Sequence, residues 1–185
     1  MIEEDSDWYN KFMAEQSGME LVDYKKMMLL RERLREKGEQ YEHTPPEEWP
    51  SITFNWDIRE ESQHYSLDIA SRKEFLKYYP EGFCLGYVLL EDIDKILSKF
   101  SRRDEGELWT LGSSGTLAYL IAYLSEDHPI SPPAVKPVNN GEVMLEGGHH
   151  RYAIAKALNL SMIPIHVDPV NKEKIDKLLT VNWEA

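Results

Sequence analysis

Residues 134–167 read AVKPVNNGEVMLEGGHHRYAIAKALNLSMIPIHV, and this stretch decides the fold. The pattern predicts two short strands over 134–138 and 142–145. They are joined at Asn139-Asn140-Gly141, because asparagine and glycine tolerate the positive φ angles of a hairpin turn. The doublet Gly147-Gly148 then predicts a second tight turn, between the hairpin and a helix.

A helix and a further strand follow this turn. Small and apolar residues predict the helix over 149–158, with Asn159 in the left-handed conformation that often ends a helix. The apolar run 163–167 predicts the strand, with Pro164 near its start or on a sheet edge because proline lacks a backbone donor. Strands and helices in this order predict an α/β (α+β) fold with a compact core.

The whole chain is predicted to contain a mostly helical N-terminal region, a core and a C-terminal helix: residues 1–81, 82–168 and 169–185. In the first region, Ser17-Gly18-Met19-Glu20 has the form of a capping box and predicts an amphipathic helix that Gly38 ends. Residues 51–70 predict only a weak strand or irregular structure. Ser71 predicts the N-cap of a short helix.

The core and C-terminal regions predict further elements. A buried strand is expected over 83–90, a short helix over 91–100 and an apolar helix over 116–125. Ser113 and Ser114 offer an N-cap for that apolar helix. A terminal helix is expected over 171–179.

The composition limits the classes of function. The formal net charge is −12, from 21 basic and 33 acidic residues. Non-specific DNA binding comes mainly from basic side chains on phosphates, so the chain as a whole is a poor sequence-independent DNA binder. The single cysteine, Cys84, excludes an internal disulfide and a CxxC redox pair. The sequence has neither a secretory signal nor a transmembrane segment, so we expect a cytoplasmic protein.

The run Glu146-Gly147-Gly148-His149-His150-Arg151 carries the candidate chemistry. The first N–H groups of a helix lack partners within it, so a strand, two glycines and a helix predict an anion site, for nucleotide or nucleic-acid phosphate. The glycines leave room at the backbone, and Arg151 offers forked donors that match phosphate oxygens. His149 and His150 can act as general acid or base, and Glu146 can bind a metal ion or orient a histidine.

The same residues have structural interpretations. The glycines can form only a tight turn, a histidine can cap the helix, and Arg151 can pair with Glu146. The basic loop 99–103 could contact DNA, but the net charge favours a solvated loop. The histidines outside the motif lack the spacing of metal ligands, so no structural zinc is expected.

The motif order resembles the ParB/sulfiredoxin superfamily over about residues 82–168. The residues that carry the resemblance are Pro132-Pro133-Ala134-Val135, Gly147-Gly148-His149-His150-Arg151-Tyr152-Ala153 and Ile163-Pro164-Ile165. It implies a ParB/Srx-like core that binds ATP, CTP or DNA at the glycine turn. Gly147 and Gly148 match the superfamily's glycines, and His150 and Arg151 match its phosphate-binding pair.

The chain departs from sulfiredoxins at two points. His149 stands where they carry the catalytic cysteine, so sulfinic-acid reduction is excluded. The preceding helix lacks their lysine, and we expect the hydroxyls of Ser113, Ser114 and Thr116 to contact the nucleotide.

Short members of the superfamily with a unique N-terminal half include plasmid fertility-inhibition factors, which block conjugative or T-DNA transfer through a type IV secretion system. The resemblance to them implies ATPase and DNase activity, ATP or another nucleotide with a divalent cation such as Mg²⁺, and DNA near the 147–151 turn. It also implies type IV secretion components as partners, at the inner membrane. Two alternatives stay open: a nucleotide-regulated protein-binding module without turnover, and a small-molecule (serine) kinase.

Overall fold

The computed structural model describes residues 2–69 and 71–184, and it has helices packed on one mixed five-stranded sheet. This confirms the α/β (α+β) class. The α-helices are α1 (Ile2–Gln16), α2 (Leu21–Glu39), α3 (Arg72–Tyr78), α4 (Leu90–Ile96), α5 (Ser114–Leu124), α6 (His149–Ala157) and α7 (Lys172–Asp176). The strands are β1 (Cys84–Leu89), β2 (Ala134–Pro137), β3 (Val143–Gly147), β4 (Met162–Val167) and β5 (Asn182–Trp183). Short 3-10 helices cover Pro46–Glu48, Glu60–Leu67 and Pro169–Asn171; Glu60–Leu67 is called the 3-10 segment.

The strand order is β3-β2-β4-β1-β5, so β4 lies in the middle although it contains Pro164. On one side, β4 pairs with the whole of β1. On the other, it meets β2 at Ala134 and His166, where the His166 N–H donates to the Pro133 carbonyl over 2.9 Å. N–H groups two residues apart point to the same side of a strand. The nitrogen of Pro164, which carries no hydrogen, therefore points to the β2 side of β4. At this position β2 no longer pairs with β4.

The local turn predictions are confirmed. Asn140 and Gly141 have φ angles of 79° and 77°, and the Val138 N–H donates to the Glu142 carbonyl at 2.9 Å to close the hairpin. Asn159 has a φ of 54° just after α6.

Helix α6 is held between two apolar clusters. Tyr152 and Ala155 belong to the cluster that covers the sheet, whereas Ile154 packs in a second cluster around α5. All three are fully buried, and burying a large apolar side chain contributes about 1.5–3 kcal/mol. The helix is therefore fixed from both sides, and its N-terminus has a defined position.

Two predictions about α2 are wrong. Its N-cap is Glu20 rather than Ser17, and no side chain caps it. Gly38 lies inside the helix instead of ending it. A Cβ at Gly38 would lie 2.9 Å from the carbonyl carbon and oxygen of Ala118, so this glycine lets the backbones of α2 and α5 touch. At Ser71 the predicted N-cap is confirmed, since its hydroxyl accepts the Glu74 N–H over 3.3 Å.

Two other regions differ from the prediction. Residues 51–70 include the 3-10 segment, where only a weak strand or irregular structure was expected. The terminal helix is limited to α7, and β5 follows it and pairs with β1 through Gly86 and Trp183. Over 2–69 and 71–184, no helix is long and apolar enough to cross a membrane.

Candidate functional site

The turn between β3 and α6 opens onto a cleft of about 1250 Å³. The N-cap of α6 is Gly148, which has a φ of 87° and no capping side chain. The first turn of the helix is closed by the Tyr152 N–H donating to the Gly148 carbonyl over 3.0 Å. The N–H groups of residues 149–151 have no protein acceptor in the described parts of the chain. These free donors and the helix dipole favour an anion at this end.

The two glycines are required by the protein's own packing. A Cβ at Gly147 would lie 2.0 Å from the carbonyl oxygen of Ser66, and one at Gly148 would lie 2.8 Å from Cα of Pro133. The space beside both α-carbons is therefore filled by the chain. This supports the structural interpretation of the glycines, as residues of a tight turn.

Arg151 is buried and bonded to main-chain carbonyls. Nη1 donates to the carbonyls of Ser131 and Pro132 over 2.9 and 3.2 Å, and Nη2 donates to that of Tyr65 over 3.0 Å. Its nearest carboxylate is Asp68, at 3.6 Å. The predicted forked phosphate contact is therefore wrong for this arrangement, since the fork is already occupied. Arg151 ties the proline loop and the 3-10 segment to α6.

His149 and His150 are half-buried and line the cleft. Burial, and then the nearby charge of Arg103, lower the pKa of both histidines. Nδ1 of His150 is buried and has no hydrogen-bond partner among the residues that the structure describes. Both rings are therefore neutral at neutral pH, and a neutral imidazole can accept a proton.

Arg103 is the residue whose role the sequence did not reveal. It is only 7% exposed and lines the cleft. Arg103 and His150 both lie beside Gly112, since a Cβ on that glycine would be 3.7 Å from Nη2 of Arg103 and 3.0 Å from Cε1 of His150. Its Nη groups donate weakly to the carbonyls of residues 101, 102 and 111, at 3.3–3.4 Å. Nε is buried without a partner, and no described carboxylate forms an ion pair with this side chain.

The neighbouring arginine, Arg102, has the surroundings expected for a residue of a solvated loop. Arg102 is half-buried, with 36% of its side chain exposed, and it lies outside the cleft and pairs with Asp104, with Nε 2.7 Å from Oδ1. The expectation of a solvated loop thus holds for Arg102 and is wrong for Arg103. Adjacent arginines look alike in the sequence, and only the packing of the loop against α6 separates them.

The three predicted hydroxyls are not brought together. Ser113 caps α5 by accepting the Thr116 N–H over 3.2 Å. The Ser114 hydroxyl hydrogen-bonds to the carboxylate of Glu42. Thr116 lines the cleft, whereas neither serine does.

Glu146 lines the cleft and accepts a 2.8 Å bond from Nζ of Lys136. It pairs with that lysine rather than with Arg151. Within the described residues, no three His, Cys, Asp or Glu side chains are grouped as metal ligands. A divalent cation here would take fewer than three such side chains from the described chain, and the phosphates of a nucleotide would have to supply further ligands.

A fully buried histidine on β4 fixes the 3-10 segment, which lies against the glycine turn. His166 is fully buried on β4, and its Nδ1 lies 2.7 Å from the Ser66 hydroxyl. Burial, with a smaller effect of Arg151, lowers the pKa of His166 to about 4. This bond joins the 3-10 segment to the sheet.

Protonation of His166 should destabilise the protein below pH 6.5. The unfolded chain takes up this proton near pH 6.5 and the folded protein near pH 4. The free energy of unfolding therefore has its full value above pH 6.5 and falls as the pH decreases towards 4. The loss should be about 3 kcal/mol. Urea unfolding between pH 4 and 7 measures it. His166→Gln should flatten the slope, and His43→Gln, at an exposed histidine, should not. An unchanged slope in His166→Gln contradicts this assignment.

Comparison of the chain with family models, with curated proteins and with solved structures gives no match. The resemblance to the ParB/sulfiredoxin superfamily therefore rests on the residues quoted for it.

Proposed function

We propose that the cleft binds phosphate groups of nucleotides and DNA, and that the protein is a phosphohydrolase with ATPase and DNase activity at this one site. The observation that carries the proposal is Arg103, a buried cation without a carboxylate partner in the described chain. Buried charges in proteins are normally paired or bind ions, because an unpaired one costs several kcal/mol. The missing partner of Arg103 is thus an anion.

Phosphate fits the groups around Arg103. The guanidinium and the free N–H groups of α6 are donors only, and they match an anion with several acceptor oxygens. The neutral histidines add donors or a base without adding a fixed charge. The Arg103 loop is held in place, since Nζ of Lys156 donates to the Arg103 carbonyl over 2.6 Å.

Hydrolysis requires an activated water and neutralisation of the phosphoryl charge. In the proposed reaction, His149 or His150 takes the proton of a water molecule. The water oxygen bonds to phosphorus, and the bond from phosphorus to the leaving oxygen breaks with its electron pair. Arg103 and the α6 N–H groups stabilise the charge that develops on the phosphoryl oxygens.

Arg103→Met should lower phosphate release from ATP and cleavage of plasmid DNA about a hundredfold, in line with the loss of one preorganised donor. His150→Gln should lower both rates about a hundredfold, through loss of the base. Arg102→Met is the matched control and should retain the wild-type rates. Rates are measured with Mg²⁺ on proteins whose urea unfolding confirms that they are folded. Wild-type rates in Arg103→Met would refute the proposal.

The resemblance to fertility-inhibition factors gives this activity a setting. In a donor cell, the wild-type protein should then reduce conjugative transfer through a type IV secretion system, and Arg103→Met should not.

A second candidate function, a binding module without turnover, is favoured by exposed apolar residues on the N-terminal helices. Trp8 and Phe12 stack on α1, and Leu29 of α2 is also exposed. If Arg103→Met and the wild-type protein reduce transfer equally, this second candidate is favoured.

A further inference from the structure

The cleft extends beyond its anion-binding end, and the far part is largely apolar. Along one wall run Tyr119, Leu120 and Tyr123 of α5. Met27 and Leu30 of α2 also line the cleft. The α2 and α5 backbones touch at Gly38, so this cavity is part of the contact region of two packed helices.

The length of helix α5 gives the distance between the two parts of the cleft. Its N-terminus follows Gly112, which lies against His150 and Arg103. At a rise of about 1.5 Å per residue, Tyr119 lies about 7.5 Å along the axis from Ser114, and Tyr123 lies about 13.5 Å from it. A ligand bound by phosphate at Arg103 therefore reaches the tyrosines only if it carries a further group of some length.

We propose that this apolar part is a nucleobase subsite, occupied by the base of a nucleoside triphosphate whose phosphates lie at Arg103 and the α6 N-terminus. The proposal rests on the proposed phosphate site and adds to it the recognition of the base. Tyrosine rings offer flat faces for stacking, and a methionine thioether packs well on an aromatic ring. The rings of Tyr119 and Tyr123 lie 6.0 Å apart between centroids, and the Tyr123 hydroxyl donates to the Pro129 carbonyl over 2.8 Å.

Polar groups in the same cleft favour a base over an acyl chain. Asp57 and Ser62 line it, and the Ser62 hydroxyl donates to the Asp57 carboxylate over 2.6 Å. Arg59 also holds this carboxylate, and its bonds lower the Asp57 pKa to about 2. A fixed carboxylate can accept a hydrogen bond from the amino group of a base. An acyl chain has no group to meet it and would leave it partly desolvated.

The test compares ATP with tripolyphosphate, which has the phosphates but no base. By titration calorimetry, ATP should bind the wild-type protein at least about tenfold more tightly than tripolyphosphate, the range expected for stacking of one base. Tyr119→Ala should remove this preference and leave tripolyphosphate binding unchanged. Tyr119→Phe, which keeps the ring, should retain it. Tyr78→Ala, at a tyrosine on α3 that is 69% exposed and outside the cleft, is the matched control.

Met27→Ser provides a second test if Tyr119→Ala fails to fold, since Met27 is only half-buried. It should also weaken ATP and not tripolyphosphate. Equal binding of ATP and tripolyphosphate by the wild type would overturn the base subsite and leave the phosphate site standing. Tighter binding of dodecyl phosphate than of ATP would overturn it in favour of an acyl group. No binding of any of the three would refute the phosphate site itself.

Discussion

Replacing Gly147 with alanine should lower the free energy of unfolding by about 3 kcal/mol or more, or prevent folding. The added methyl carbon would lie 2.0 Å from the carbonyl oxygen of Ser66. Both neighbours belong to main chain that is fixed elsewhere: Gly147 pairs with Ala134 in the sheet, and the Ser66 hydroxyl is bonded to His166. Neither backbone can move without breaking other bonds.

Urea unfolding compares this variant with Gly115→Ala. Gly115 lies in the first turn of α5, and a Cβ there meets no atom of the described residues within 4 Å. Alanine favours the helix over glycine, so Gly115→Ala should raise stability by up to about 1 kcal/mol. Equal stability of the two variants would show that the 3-10 segment does not lie against β3 as described.

Replacing Arg151 with methionine should lower the free energy of unfolding by about 3–5 kcal/mol, the range for breaking a buried polar network. Three main-chain carbonyls would each lose one hydrogen bond, and two of those bonds are buried. Arg151→Lys should recover little, because an ammonium group cannot replace the planar fork. Arg103→Met is the matched comparison. It removes a buried charge that lacks a counter-ion, so it should be neutral or stabilising while hydrolysis is lost.

The pair of variants separates positioning from catalysis. Denaturant unfolding and phosphate release are measured on both proteins. If Arg151 instead held phosphate directly, Arg151→Met would keep its stability and lose only activity. A stability loss in Arg103→Met as large as that in Arg151→Met would remove the distinction between the two arginines.

The features that the sequence predicted correctly depend on local chemistry. Positive φ at Asn140, Gly141 and Asn159 follows from the residues themselves, and so does the cap at Ser71. The element order around the Gly147-Gly148 turn follows from patterns that span a few residues each. These preferences act over one or two turns of chain and need no knowledge of distant residues.

The features that it missed depend on contacts between distant segments. Gly38 has the form of a helix terminator, but Ala118 decides its role. Arg151 was predicted to bind phosphate, but carbonyls up to 86 residues away occupy its donors. Arg103 becomes a candidate ligand because its loop packs against α6, whereas Arg102 beside it lies outside the cleft and pairs with Asp104. No pattern within a few residues encodes these positions.

The bonds of Arg151 also affect how the protein can change during evolution. Its acceptors are carbonyls of the main chain, which every amino acid supplies. The side chain at position 65 can therefore drift without loss of the bond, while position 151 must keep its guanidinium. A contact of this kind leaves no covariation between the two positions. In an alignment of relatives, this contact would appear only as an invariant arginine at position 151 and a variable residue at position 65.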